Sequence, residues 1–177
     1  MLVVASYTLV AIFAPLIAPF TQSEVVSGPY EAASGTYLLG TDALGRDFFT
    51  RVVFGIRNTL GIALVTTIVT FVFGAFFGLL AAVRGGWVDQ LLSRIVDVLM
   101  SIPALIFKLL LLSIAGTAVI NLILIVAFVD STRVFRLSRA AASDVAVMEF
   151  IEAARLRGET LLSLMLRETL PNIIAPL

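Results

Sequence analysis

Few side chains in this sequence have the types and spacing that chemistry requires. Cys and His are both absent, which excludes thiolate nucleophiles, zinc–sulfur sites and the commonest general base near neutral pH. Asp42 and Asp47 lie close together, but a calcium site needs about six or more oxygen ligands in a compact loop. The sequence therefore predicts no catalytic residue and no metal site, and it gives no support to a membrane-embedded enzyme.

The most unusual charged residue is Lys108, which is the only charge between Val98 and Val129. A charge within a membrane span is costly and by default indicates a function. The side chain could extend to the membrane surface, pair with another subunit, or line a translocation path and attract a carboxylate. Asp130 follows this run and has Arg133 three residues away on the same helical face, which predicts a local ion pair, with a proton relay as the alternative.

The elements that must hold these residues are predominantly apolar helices. The chain is 60% hydrophobic and 14% charged, whereas soluble domains are roughly 45–50% apolar and 25% charged. Its formal net charge of zero gives no electrostatic support for nucleic-acid binding. The composition predicts an all-α integral membrane protein, and the uncharged runs predict transmembrane helices. Four are predicted, at about 2–20, 58–83, 91–114 and 118–136.

Polar segments divide the chain into three parts. Residues 1–20 are predicted to form the first transmembrane helix, residues 21–57 an extracytoplasmic loop, and residues 58–177 a core domain. The segments on the other side of the membrane carry more arginine than this loop, which predicts a cytoplasmic N-terminus. The arginines near the inner end of the fourth span are interpreted as an anchor to membrane lipid. They are Arg133, Arg136 and Arg139.

Two local patterns predict specific structure within these parts. Asp47 can accept the free N–H groups of a helix that begins at Phe48 and lies at the membrane interface. Gly74 and Gly78 are four residues apart in the second span, and such pairs allow helix backbones to approach closely in lipid. Both patterns are interpreted as structural.

The charged segment 145–172 follows the fourth span and has a helical pattern. Gly158 is predicted to adopt the left-handed conformation that ends a helix. Thr160 is predicted to begin a second helix, which Pro171 closes. An apolar face is predicted for the first helix, formed by Val147, Phe150, Ile151 and Ala154. By periodicity alone, such a pair of helices could also lie on the membrane surface.

This segment resembles the cytoplasmic motif of the permease subunits of bacterial ABC importers. That motif reads Glu-Ala-Ala, three residues, Gly, nine residues, then Ile-x-Leu-Pro. The Ile position holds Glu168 here, which is a departure from the motif. The matching positions are Glu152, Ala153, Ala154, Gly158, Leu170 and Pro171.

Two further stretches resemble the dipeptide, oligopeptide and nickel permease group. They are "LLGTDALGRDFFTRVVFGIRNTL", before the second span, and "GGWVDQLLSRIVDVLMSIPALI", at the following turn and third span. The likeness is to the second permease subunit of a peptide importer. It implies the type I importer permease fold with two more spans after the motif, so the sequence is expected to be a fragment that lacks them.

The resemblance implies a multi-pass protein of the bacterial inner membrane that forms the translocation path for peptides or similar small solutes. The implied partners are a related second permease, two cytoplasmic ATPase subunits and an extracytoplasmic solute-binding protein. The permease would bind no cofactor and hydrolyse nothing, since the ATPase subunits use the ATP. Nickel chelates, opines and glutathione-like solutes are alternative substrates. A structural or sensor membrane protein with a partner-binding cytoplasmic segment is an alternative of another class.

The resemblance also implies roles for two groups of residues. The matched motif residues, from Glu152 to Pro171, would couple the permease to the ATPase. A group in the loop would lie near the docked binding protein, although a plain turn that caps the following helix is an equal alternative. These residues are Gly40, Thr41, Asp42, Gly45, Arg46 and Asp47. If Lys108 lines the path, it could attract the carboxylate of a peptide C-terminus.

Overall fold

Every regular element within residues 2–173, which the computed structural model describes, is helical. The all-α prediction is therefore confirmed for these residues. The helices are α1 (Leu2–Ile12), α2 (Ala14–Ile17), α3 (Phe48–Arg84), α4 (Gly86–Ser101), α5 (Ala104–Ala115), α6 (Val119–Ala146), α7 (Glu149–Leu156), α8 (Leu161–Ser163), a π-helical turn (Leu164–Thr169) and α9 (Leu170–Ile173). The chain divides into two units, Met1–Leu64 and Val65–Leu177.

The helix predicted over residues 2–20 is interrupted. The α1 helix ends at Ile12, and α2 begins at Ala14 with Pro15 in its first turn. Proline has no N–H and its ring clashes with the carbonyl four residues earlier, so it interrupts a helix but is tolerated at the start of one. The predicted single span is therefore two short helices with a break at Phe13.

A single long helix covers the predicted interfacial helix and the predicted second span. The α3 helix begins at Phe48, as predicted, and continues without a break to Arg84. It has 37 residues and is long and apolar enough by itself to cross a membrane, which requires about 20 residues. The interfacial helix and the span are thus one continuous element.

The third predicted span is bent. The α4 and α5 helices meet at an angle of 89°, and Ile102, between them, is extended with ψ of 132°. The next residue is Pro103, which disfavours helical conformation in the residue before it. The two helices are apolar enough to cross a membrane only when taken together as one bent span. Among the described residues, length and composition thus identify α3 and this pair, and the count of four spans is not confirmed.

Close packing between α3 and α6 explains the glycine pair. A Cβ atom added at Gly74 would lie 2.5 Å from Val134 Cβ, and one added at Gly78 would lie 2.7 Å from the Phe135 carbonyl oxygen. Non-bonded heavy atoms do not approach a Cβ atom so closely, so only glycine allows this separation of the two backbones. The interpretation of Gly74 and Gly78 as packing residues is confirmed.

Candidate functional site

The predicted coupling segment, residues 145–172, contains a sharp turn after α7. Gly158 has φ of +79°, a conformation that side-chain-bearing residues rarely adopt. The Gly158 N–H donates to the Arg155 carbonyl at 3.0 Å, and the Glu159 N–H donates to the Ala154 carbonyl at 3.3 Å. These bonds satisfy carbonyl groups that the helix end leaves free. The helix-ending conformation predicted for Gly158 is confirmed.

The second half of the segment is helical over residues 161–173. Thr160 caps it as predicted, since its hydroxyl oxygen accepts a hydrogen bond from the Ser163 N–H at 3.3 Å. The prediction that Pro171 closes the helix is wrong, because helix continues to Ile173. A π-helical turn precedes the proline, and the Leu170 N–H bonds five residues back. This wider turn accommodates a residue that would otherwise disrupt the α-helical pattern.

The inner side of the segment packs into the core of the second unit. Ile151, Ala154 and Met165 have no exposed surface. They belong to one buried apolar cluster with the last turns of α3 and α6 and with the end of the segment. The other members of this cluster are Leu79, Val83, Ala142, Val145, Leu164 and Ile173. The segment is therefore built onto the apolar helices as part of a single packed body.

The exposed residues at the N-cap and along α7, next to Glu149, form a surface that we call the outer face, which includes Met148, Phe150, Glu152, Ala153 and Leu156. All five residues are exposed, and Leu156 is 85% exposed. Exposed apolar side chains that are bordered by polar residues mark interaction surfaces. The motif residues Ala153 and Ala154 thus differ in environment, because Ala153 is exposed and Ala154 is buried.

The apolar face predicted for α7 is partly wrong. Ile151 and Ala154 are buried as expected, but Val147 and Phe150 are exposed. Val147 follows the last residue of α6 and lies in the turn before α7, so the helical periodicity does not include it. One sequence signal could have identified the outer face. There are more large apolar residues around Ala154 than are needed to form a single buried stripe on one helix.

The remaining motif positions lie at the end of the segment. Leu170 packs against the buried cluster, whereas Pro171 is exposed. Glu168, at the position where the motif has Ile, is half-buried. In the turn between the helices, Glu159 accepts hydrogen bonds from Arg157 Nη2 at 2.8 Å and from Ser163 Oγ at 2.9 Å. The Arg157 guanidinium, and then the Ser163 hydroxyl, hold the pKa of Glu159 below its ordinary value.

Lys108 forms an ion pair within the chain. Its Nζ donates to both carboxylate oxygens of Asp130 at 2.8 Å, which joins α5 to α6. The predicted pairing of Asp130 with Arg133 is therefore wrong, as is extension of Lys108 to the membrane surface, whereas its pairing with another subunit stays a prediction. An ion pair between two apolar helices neutralises charges that would be costly alone. A place on a solute path stays a prediction.

Two more ion pairs join α6 to α4. The Arg139 guanidinium binds both oxygens of Asp89, and Arg136 Nη2 donates to Asp97 Oδ1 at 2.9 Å. The charges of these two arginines are thus used between helices, and their contact with membrane lipid stays a prediction. Their partners lie far away in the sequence, so spacing along α6 gave no signal for them.

The predicted residues in loop 21–47 form a tight hydrogen-bonded turn. Asp42 accepts hydrogen bonds from the N–H groups of Leu44 at 2.7 Å and Arg46 at 3.0 Å. The Arg46 and Arg51 guanidinium groups also donate to Asp42. Burial raises the pKa of Asp42, but the hydrogen bonds from Arg46, Arg51 and Leu44 together hold it well below its ordinary value.

The same turn positions the start of α3. Gly40 and Gly45 both have positive φ angles, and Thr41 and Asp47 pair as an isolated β-bridge. Asp47 Oδ2 accepts a hydrogen bond from the Thr50 N–H at 2.7 Å, which confirms the predicted cap. All six residues of the group thus contribute to one structure, and a contact with a binding protein stays a prediction.

The chain has relatives among known transport proteins. It is 32% identical to the dipeptide transport system permease protein DppC of Alkalihalophilus pseudofirmus, an alignment that covers 100% of this chain and 59% of the relative. It is 34% identical to the di/tripeptide transport system permease protein DppC of Pseudomonas aeruginosa, over 94% of this chain and 57% of the relative. It is 31% identical to the glutathione transport system permease protein GsiD of Pectobacterium atrosepticum, over 82% of this chain and 48% of the relative.

The chain therefore spans about three-fifths, or less, of the length of these relatives. Residues 74–177, more than half of the chain, match the family described as "binding-protein-dependent transport system inner membrane component". The matched region contains α4–α9, the predicted coupling segment and all of the buried cluster. We conclude that this chain belongs to the family of binding-protein-dependent transport system inner membrane components and is a protein of the bacterial inner membrane.

Proposed function

We propose that this chain is a transmembrane subunit of an ATP-driven importer, and that cytoplasmic ATPase subunits move it through the coupling segment. The observation that carries the proposal is the two-sided structure of α7. Its inner side, with Ile151 and Ala154, belongs to the buried cluster of the apolar helices. Its outer face leaves apolar side chains and Glu152 exposed. An element built in this way can receive a force on one side and transmit it on the other.

The packing of the segment favours this role over a membrane-surface anchor. An amphipathic helix that lies on a membrane places its most apolar face among the lipids. In α7 the apolar Ile151 and Ala154 are fully buried within the chain and so are not available to lipid. Packed interfaces move as bodies rather than deforming smoothly. Displacement of α7 by a partner would therefore displace the helices packed against it.

The proposed assembly contains subunits that the chain itself does not supply. They are a related second permease, two ATPase subunits that hydrolyse the ATP, and an extracytoplasmic solute-binding protein. The family description supports the binding protein, and the names of the relatives support membership of a transport system. No cofactor is proposed for this chain. Residues 40–47 are proposed to lie near the binding protein and Lys108 near the path.

The proposed substrates are peptides or similar small solutes. Two relatives are named for dipeptides and di/tripeptides, and another for glutathione, which is itself a peptide. The proposed arrangement has four spans, formed by α1–α2, α3, the bent α4–α5 pair and α6. Residues 1–20 and 58–177 would lie mainly in and below the membrane, and residues 21–57, which include the first turns of α3, outside it.

Site-specific cross-linking tests the proposal, and two adjacent alanines provide a matched pair. An Ala153→Cys variant of the full-length permease would be co-expressed with its ATPase, which carries single cysteines along its surface. We expect a position-specific cross-link from Ala153 that changes when ATP is added. Ala154→Cys is the control and should form no such link, because Ala154 is buried. Failure of the permease and ATPase to co-purify would contradict the proposed function.

A further inference from the structure

A single arginine connects α7 to the end of α3. Arg155 Nη2 donates a hydrogen bond to the Val83 carbonyl oxygen at 2.7 Å, although the two residues are 72 positions apart. Arg155 is exposed and lies one residue after the buried Ala154. Its guanidinium therefore reaches back from α7 to the adjoining apolar helix. Neither the motif nor the family match assigns a role to this residue.

The carbonyl that Arg155 binds belongs to the last turn of α3. The final four carbonyl groups of an α-helix have no partner within the helix, and this end carries partial negative charge. The α3 helix ends at Arg84, and the next residues, Gly85 and Gly86, both have positive φ. The chain thus turns away immediately, and a cationic donor from α7 supplies the bond that the Val83 carbonyl would otherwise lack.

Val83 is held by α7 in a second way. Its side chain is only 3% exposed and belongs to the same buried cluster as Ile151 and Ala154. One residue of α3 thus has its side chain packed with α7 residues and its carbonyl bonded by Arg155. Apolar packing alone resists compression but allows sliding, whereas a hydrogen bond of defined direction fixes the register between two helices.

We propose that Arg155 is a positioning residue that fixes α7 to the end of α3, so that displacement of the coupling segment moves α3. This inference rests on the proposed function, in which an ATPase displaces α7. Its consequence is that loss of the bond separates ATP hydrolysis from transport. The ATPase still binds the outer face and hydrolyses ATP, but α3 follows the movement less completely.

The experiment compares two arginines of the same segment. The full-length permease, assembled with its partner subunits in proteoliposomes, would carry Arg155→Gln or Arg157→Gln. Both variants lose one positive charge, but Arg157 pairs with Glu159 in the turn and does not bond to α3. Dipeptide uptake and ATP hydrolysis would be measured together. We expect R155Q to lower uptake per ATP hydrolysed about tenfold, as loss of a hydrogen bond from a charged donor predicts, with R157Q close to wild type.

Each other outcome decides the question. An unchanged ratio in R155Q, or equal falls in R155Q and R157Q, would overturn the role of Arg155 without affecting the proposed function. A fall in uptake and ATP hydrolysis by the same factor would make Arg155 an ATPase contact and also overturn it. If R155Q does not assemble, Arg155→Met, which keeps most of the apolar stem, replaces it. Failure of both to assemble would make Arg155 a folding residue. A wild-type permease that binds no ATPase would contradict the proposed function itself.

Discussion

The ammonium group of Lys108 lies 2.8 Å from each carboxylate oxygen of Asp130 and joins α5 to α6. The pair is mostly shielded, since the two side chains are 21% and 30% exposed. Removal of either partner would leave a single charge in an environment of low polarity, which is much more costly than removal of both. The Lys108–Asp130 ion pair therefore leads to a prediction about stability that does not depend on any role in transport.

Single substitutions at this pair should be more harmful than the double substitution. We expect Lys108→Ala or Asp130→Ala to lower the free energy of unfolding by about 2 kcal/mol, because each leaves an uncompensated charge. The double variant should lose less than the sum of the two single losses. Thermal unfolding of the full-length protein in detergent measures all three. A double variant as unstable as the sum would show that the two residues do not interact.

The glycines of α3 should differ sharply in their tolerance of alanine. We expect Gly74→Ala and Gly78→Ala each to lower the free energy of unfolding by roughly 1–3 kcal/mol, because the added methyl group would overlap with α6. Gly61→Ala is the matched control, since nothing lies within 4 Å of its added Cβ. In helical conformation it should stabilise by about 0.5–1 kcal/mol. Equal melting temperatures for the three variants would contradict the close α3–α6 packing.

The sequence predicts those features that depend on a few neighbouring residues. The cap by Asp47, the left-handed Gly158 and the cap by Thr160 are all local, because donor and acceptor are within three residues or the backbone angle is set by one residue type. The Gly74–Gly78 packing is also predictable, since small residues at helical spacing have few other uses in lipid.

Features that depend on tertiary partners are not predictable in the same way. Asp130 has an arginine three residues away, yet it pairs with Lys108, 22 positions earlier. The partner of Arg155 is a backbone carbonyl 72 positions earlier, and a carbonyl carries no sequence signal. Helical periodicity likewise could not show that Phe150 is exposed. It identifies the apolar positions of a helix, but it does not show which of them a neighbouring element covers.

The turn around Asp42 should respond to acid in a defined range of pH. The pKa of this carboxyl is lowered well below its ordinary value of 3.8, so the folded loop favours the charged form. The stability that ionised Asp42 gives to the folded loop is therefore complete above about pH 4 and is lost as the pH falls below that value. The protection of the Leu44 and Arg46 amides, whose N–H groups donate to Asp42, should fall on acidification when exchange is compared with the intrinsic rate at each pH. Asp42→Asn should exchange faster at neutral pH and show less change with pH. An acid response that is the same in both proteins would contradict this role.

The bend at Gly158 should require glycine because of its backbone conformation, and not because a side chain there would clash with a neighbour. Its φ of +79° is unfavourable for other residues, although nothing lies within 4 Å of an added Cβ. We therefore expect Gly158→Ala to lower the free energy of unfolding by about 1 kcal/mol through strain alone. In the proposed function it should also weaken ATPase binding, because the strain is relieved by reorienting α7 relative to residues 161–173.

Gly35→Ala, where the added Cβ is equally free and φ is not positive, is the control and should leave both stability and ATPase co-purification unchanged. A Gly158→Ala permease with wild-type melting temperature would show that the left-handed turn is not required for the fold of this segment.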